Sequence, residues 1–331
     1  MSALRRGLFL TAVTLPLWPQ SPAVETTIRV PVRLVTVPTL VFSNEKRLVP
    51  GLEAGDFTVF DNSQRQRVTL DASSVLVSVA VAVQTNLDVR EYLPIIAKAG
   101  SVIETLLAGE NGEAAAVAYG DDVTVIKPFE SGDLQIALRS LSAVGRKARM
   151  IDAGMRALKL LEQRPGMRSR VLLLIGQPMD SGSESTLTAL RAEAERENVT
   201  VFALLLPEIG KAFVSDTFAL EGLSSRTDRG GFKASVDLGK LIPVLNRTTK
   251  AAKSTDPFSL LTAATGGTQL HFRRQWEFED AIAAVGLQLR SAYLLSYTPT
   301  SPEIGYHTIK VEVDVPRART YARPGYWRAR D

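Results

Sequence analysis

The stretch SVLVSVAVAVQTNLDVREY, Ser74 to Tyr92, decides how this chain is read. Val75 to Val83 is almost unbroken apolar sequence, and it passes directly into the polar cluster Gln84-Thr85-Asn86-Leu87-Asp88. Such a run, rich in β-branched residues, predicts a strand buried on both faces. A helix should follow, because Tyr92–Leu107 puts Leu93, Ile96, Ile103, Leu106 and Leu107 at helical spacing. In open α/β sheets, the loop between a buried strand and its helix is where ligands are met.

The same rhythm continues downstream. Strands are expected at Ala114–Tyr119 and Val123–Ile126, on either side of the turn Gly120-Asp121-Asp122, then at Val171–Ile175 and Val199–Leu206. Helices are expected at Leu134–Leu141, Met150–Leu161, Ser185–Glu197, Phe258–Ala264 and Glu277–Arg290. Ser183 or Ser185 would cap the third of these. From Pro207 to Thr255 the chain turns to Gly, Ser, Thr, Lys and Arg, which reads as a long variable connection with one short helix near Leu238–Leu245. Alternating strands and helices give an α/β fold: a doubly wound, mainly parallel central sheet with helices on both faces.

Both flanks of this region read as β. On the N-terminal side, Thr26 to Ser73 holds TIRVPVRLVTVPTLVF, where Pro31 and Pro38 suggest an edge position or strand breaks. Two further runs flank a turn at Asp61-Asn62-Ser63. On the C-terminal side, strands are expected at Ala292–Tyr297, Tyr306–Val315 and Thr320–Trp327. Neither flank buries a face alone, so the two should share one accessory β module. The expected organisation is a signal peptide at 1–23, an N-terminal β segment at 26–73, an α/β domain at 74–291 with its connection at 207–255, and a C-terminal β segment at 292–328.

Composition bounds the function. With 331 residues, 45% hydrophobic and 22% charged, the chain is ordinary globular protein. Its formal net charge of +4 includes Arg5 and Arg6, so nothing points to nucleic acid. Arg5-Arg6, the apolar run Gly7–Trp18 and the small residues Ser21 and Ala23 read as a cleavable secretory signal, giving a periplasmic or secreted product. That run is shorter than the ~20 residues a bilayer span needs, and Pro16, Pro19 and Pro22 argue against a buried helix. Cysteine is absent, which excludes disulfides, a cysteine lipid anchor and thiolate metal sites.

Three groups of residues carry a family resemblance. LVPGLEAGDFTVFDNSQRQRVTL (Leu48–Leu70) fits the pattern V-x-G-L-x-x-x-D-F-x-V followed by Gln66. The apolar strand Val75–Val83 is the second. LLTAATGGTQL, LRSAYLLSYTPT, YHTIKVEV and ARPGYW, all between Leu260 and Trp327, are the third. From Thr26 to Trp327 the chain resembles the von Willebrand factor type A (VWFA)-related proteins of acidobacterial type. That resemblance implies a three-layer vWA fold used for protein binding or adhesion. It also implies a metal-ion-dependent adhesion site: an Asp-x-Ser-x-Ser loop after the first strand, a Thr from a second loop and an Asp from a third. Hard divalent ions such as Mg²⁺ or Mn²⁺ want such an oxygen octahedron.

The residues at those positions have changed. The first loop has Gln84, Asn86 and Asp88 where Asp, Ser and Ser are expected. The second loop reads RKARMID, which keeps Asp152 but places Ala148 at the Thr position among Arg146, Lys147 and Arg149. In the third loop the Asp position is Gly176, followed by Gln177, and Asp180 comes four residues later. Neutral amides and added positive charge disfavour a dication. No metal is therefore expected, and no other cofactor; the alternative is a rearranged Mg or Mn site on Asp88, Asn86 and Asp180. Arg146, Lys147 and Arg149 could instead supply the positive charge that meets an acidic partner.

Catalytic motifs are missing. His271 and His307 fall in expected strands without a nucleophile motif, and there is no Gly-x-Ser-x-Gly elbow or Walker loop. Gly266-Gly267 lies between a helix and a strand, the reverse of a phosphate loop, so it reads as a helix C-cap and turn. The expectation is a non-enzymatic protein-binding module with an unidentified protein ligand and no membrane span. Its binding rim would comprise Gln84, Thr85, Asn86, Asp88, Arg146, Lys147, Arg149, Gln177 and Asp180. A hydrolase or nucleotide-binding enzyme on the same sheet is the rival of another class.

Overall fold

The computed structural model describes residues 34–45, 47–71, 76–130, 132–165, 168–207, 256–272 and 275–328. These all lie in one packed unit, Arg33–Asp331. The expected signal peptide, Pro31, most of the 207–255 connection and its short helix lie outside the described residues.

In chain order, β1 (Val35–Phe42), β2 (Phe57–Asp61), β3 (Gln64–Gln66) and β4 (Thr69–Asp71) precede β5 (Val77–Gln84). A 3-10 turn (Leu87–Tyr92) leads to α1 (Leu93–Lys98) and α2 (Gly100–Ile103), then β6 (Glu113–Tyr119) and β7 (Val123–Lys127). Helices α3 (Leu134–Arg139) and α4 (Met150–Glu162), strand β8 (Ser169–Gly176), helix α5 (Leu187–Arg196) and strand β9 (Val199–Leu205) follow. After the connection come α6 (Pro257–Thr265), β10 (Gln269–His271) and α7 (Gln275–Ser291). The chain finishes with β11 (Tyr293–Tyr297), β12 (Gly305–Val313), β13 (Arg319–Tyr321) and β14 (Gly325–Arg328).

The central sheet has the order β10-β9-β8-β5-β6-β7, parallel except for β7, which runs antiparallel to β6. Every residue of β5 is buried, as its apolar run requires. Its side chains divide by parity between two cores. Val79, Val81 and Val83 pack with α1, α2 and α7, while Ala80 and Ala82 pack with α4, α5 and α6. Counted from β5, the strand order is 3-2-1-4-5-6, so the winding reverses between β5 and β8.

The expected single helix Tyr92–Leu107 is broken. Pro94 lies in the first turn of α1, a π-type turn spans Glu104–Ala108, and Gly109 ends the run at φ 75°. Gly100 opens α2 because the Gln135 backbone packs where a Cβ would stand. The cap of α5 is Thr186, whose hydroxyl accepts from the Ala189 amide at 3.2 Å; Ser183 and Ser185 are engaged elsewhere.

The flanking strands form a sandwich of two four-stranded sheets, β13-β1-β11-β4 and β14-β12-β2-β3. Each sheet mixes early and late strands, and Val37, Val59, Leu295 and Tyr297 fill the space between them. Strand β1 runs unbroken through Pro38. It pairs with β13 only from Leu40 onward, so one flank of the strand is unpaired at the proline.

A buried polar knot closes the sandwich. His307 and Asp61 are each 1% exposed, and His307 Nδ1 lies 2.7 Å from Asp61 Oδ1. Asp61 Oδ2 accepts from the hydroxyls of Tyr297 at 3.1 Å and Tyr326 at 2.8 Å, and His307 Nε2 lies 2.9 Å from the Glu303 carbonyl. Next to it, Gln66 Nε2 donates to Thr300 Oγ1 at 3.0 Å. The residues that carry the family resemblance in the flanks are therefore largely a structural joint.

Candidate functional site

The carboxyl ends of β5 and β8 form a rim made of three loops. Loop one is Gln84–Asp88, loop two is the approach to α4 (Gly145–Met150), and loop three follows β8 from Gly176 to Ser185.

A line of hydrogen bonds runs across all three. The Gln177 amide donates to Gln84 Oε1 at 2.7 Å, Gln84 Nε2 donates to Asn86 Oδ1 at 2.9 Å, and Asn86 Nδ2 donates to Asp88 Oδ2 at 3.1 Å and the Arg146 carbonyl at 3.2 Å. Gln84 and Asn86 are 0% exposed and Gln177 is 4% exposed, so they form the floor of the rim. Thr85 is half-buried, its hydroxyl donating to the Tyr119 carbonyl at 3.1 Å.

Beneath Gly176 the space is taken. A Cβ there would overlap the Tyr119 hydroxyl and lie 2.8 Å from Gln84 Oε1. Tyr119 is fully enclosed at the end of β6; burial, and then the charge of Asp180, push its phenol pKa well above the usual range. No larger side chain fits at position 176 without moving this ring.

Loops two and three are stitched to each other around the start of α4. Ala148 and Ser181 form an isolated antiparallel bridge. Arg149 at the N-cap offers no side-chain cap, and loop three replaces it: Asp180 Oδ1 accepts from the Ile151 amide at 2.9 Å and Ser183 Oγ from the Asp152 amide at 3.2 Å. A carboxylate at this end also suits the helix dipole. In return Asp152 accepts from the Glu184 and Ser185 amides, each at 2.9 Å. Burial pushes the Asp152 carboxyl up, but those amides together with Ser185 and Arg149 outweigh it and hold the pKa below the usual range. Arg149 is half-buried and paired with Asp152 at 2.8 Å and Glu184 at 3.0 Å, which turns its charge inward.

Loop two is anchored from the other side by Asp121. Its Oδ1 accepts from the Lys147 amide at 2.8 Å and the Arg146 amide at 3.0 Å, and these bonds lower its carboxyl pKa. The side chains of Asp88, Arg146 and Lys147 remain exposed. Of the rim residues expected from sequence, the structure thus exposes these three, half-buries Thr85, Arg149 and Asp180, and buries Gln84, Asn86 and Gln177. Tyr119 and Asp121 were missed as site residues; the Gly-Asp-Asp turn was the one visible signal of Asp121.

The oxygens that a divalent cation would need already serve protein donors. Gln84 Oε1, Asn86 Oδ1, Asp180 Oδ1 and both oxygens of Asp152 accept hydrogen bonds. This donor set does not match the oxygen cage that the resemblance implies.

A sheet in the order 3-2-1-4-5-6 with an antiparallel outer strand, helices on both faces and three loops gathered at the switch point decides the fold. The α/β body is of the von Willebrand factor A type. Solved structures with likeness to this vWA-like chain include the vWF domain of the type V pili tip protein Mfa5 from Porphyromonas gingivalis, at 16% identity and TM-score 0.28, over 31% of this chain and 38% of that one. A von Willebrand factor type A protein from Catenulispora acidiphila has 11% identity and TM-score 0.44, over 88% of this chain and 62% of that one. The conserved hypothetical protein BatB from Bacteroides thetaiotaomicron has 13% identity and TM-score 0.38, over 63% of this chain and 98% of that one. The chain thus spans less than two thirds of the length of the first two. No known family profile and no curated protein matches the sequence.

Proposed function

We propose that this vWA-like chain is an exported, non-enzymatic protein-binding module whose rim recognises its ligand without a divalent ion. The observation that supports this most is the filled space at Gly176, where the Tyr119 hydroxyl and Gln84 take the room of a third-loop carboxylate. The hydrogen-bonded floor beneath the rim supports it further, since fixed loops cost little ordering entropy on binding. Export rests on the sequence of residues 1–23, and cleavage after Ala23 would be read by N-terminal sequencing of the extracellular protein.

Thermal melting with and without millimolar Mg²⁺ or Mn²⁺ tests metal independence, because a bound ion raises the midpoint by mass action. The expected midpoint is the same in both. A clear rise that disappears in Asp88→Ala and Asp180→Ala would establish instead the rearranged site on Asp88, Asn86 and Asp180.

A further inference from the structure

Large apolar side chains stand exposed on all three rim loops. Leu87 is 41% exposed, Val144 65% and Met179 39%. Leu87 and Val144 are neighbours through their backbones: the Leu87 amide donates to the Gly145 carbonyl at 3.1 Å and the Val144 amide to the Thr85 carbonyl at 2.9 Å. Met179 lies on loop three between Gln177, which is held by Gln84, and Ser181, which bridges Ala148. The bonds that fix the loops leave these side chains facing solvent, where each costs hydration free energy and none adds to the core.

Two cations lie beside them. Arg146 and Lys147 are exposed, and neither forms an ion pair among the described residues. The Lys147 stem crosses loop three at Gly182, where its Cδ would lie 3.0 Å from an added Cβ. Two nearby acids are already engaged, Asp121 by the two loop amides and Asp88 by Asn86; Asp122 is exposed in the turn beyond. Three rim carboxylates disfavour an anionic bilayer as the occupant. Apolar groups on separate loops with unpaired cations at their border suit a short polypeptide segment.

We propose that the rim takes a segment of a partner protein carrying an apolar side chain beside a carboxylate. The apolar group packs against Leu87, Val144 and Met179, and the carboxylate meets Arg146 and Lys147. This rests on the rim being the binding surface, as proposed above, and it specifies the chemistry of what binds there. A fixed guanidinium and ammonium then supply the positive charge, and the apolar contacts hold the segment in place.

The test pans a displayed library of random dodecapeptides on the full chain and measures the affinity of the enriched peptides as synthetic ligands. Enrichment of Leu, Ile, Phe or Met next to Asp or Glu is expected. Binding should fall about ten-fold or more, the equivalent of about 1.4 kcal/mol, both in Leu87→Ser/Val144→Ser/Met179→Ser and in Arg146→Ser/Lys147→Ser. These side chains are exposed, so both variants should keep the parent melting midpoint to within a few degrees. Peptides that lose affinity when the rim changes but show no apolar–acidic pairing, or that ignore either variant, would overturn this proposal and leave the rim as the binding surface. Failure of any enriched peptide to respond to both rim variants, or no enrichment at all, would overturn the two proposals together.

Discussion

The Tyr119 hydroxyl occupies the position that a Cβ on Gly176 would need. The ring comes from the end of β6 and the glycine from the end of β8, with β5 between them in the sheet. The two positions are coupled through space. Gly176→Ala should cost about 1–3 kcal/mol by overpacking. Tyr119→Phe alone should cost less, since its hydroxyl makes only one 3.5 Å contact, to the Ile175 carbonyl. The double variant should be more stable than the sum of the two predicts, and urea unfolding of all four proteins reads this coupling directly.

The acid limb of stability should depend on Asp152. Its carboxyl pKa is lower in the folded chain than the roughly 3.9 of an unfolded one. A depressed carboxylate contributes stability that is full above the unfolded value and is lost as pH falls through the folded value. Asp152→Asn should therefore be less stable than the parent at neutral pH, with the gap closing as the solution is acidified below pH ~4. Melting midpoints across that range measure it; a gap that stays constant would contradict the assignment.

The knot in the sandwich predicts a different loss. Asp61→Ala leaves the buried hydroxyls of Tyr297 and Tyr326 and the His307 ring without their shared acceptor. The cost should be about 1–3 kcal/mol for each group left unsatisfied. Asp61→Asn keeps an oxygen in place and should lose less. Chemical unfolding of the two variants compares them.

The cap of α5 is open to a smaller test. Thr186→Ala should cost about 1 kcal/mol, while Ser185→Ala should be nearly silent at that helix because Ser185 meets Asp152 through its backbone amide. Equal losses would place the cap elsewhere.

The sheet was legible because its strands are continuous apolar runs, and Val171–Ile175 and Val199–Leu206 fall where β8 and β9 stand. The shared β module was legible because neither flank could bury a face alone. The broken helix after β5 was not, since apolar periodicity persists through Pro94 and Gly100 whatever the backbone does. The loops' departure from a cation cage could be read at Gln84 and Gly176. What fills the space could not, because residues 119 and 176 meet only once the sheet is assembled. Arg149 looked like a partner-facing charge from its neighbours Arg146 and Lys147; its pairing with Glu184 depends on the bridge between Ala148 and Ser181.

The interleaving of early and late strands has a consequence for how the protein is made. While a ribosome or secretion channel delivers the chain, β1 to β4 must wait, unpaired, through more than two hundred residues until β11 to β14 arrive. In that interval their hydrogen-bonding edges are open to any other extended chain. Synthesis that stops short of β11 would therefore be expected to yield sticky, protease-sensitive product even where the α/β body is already folded.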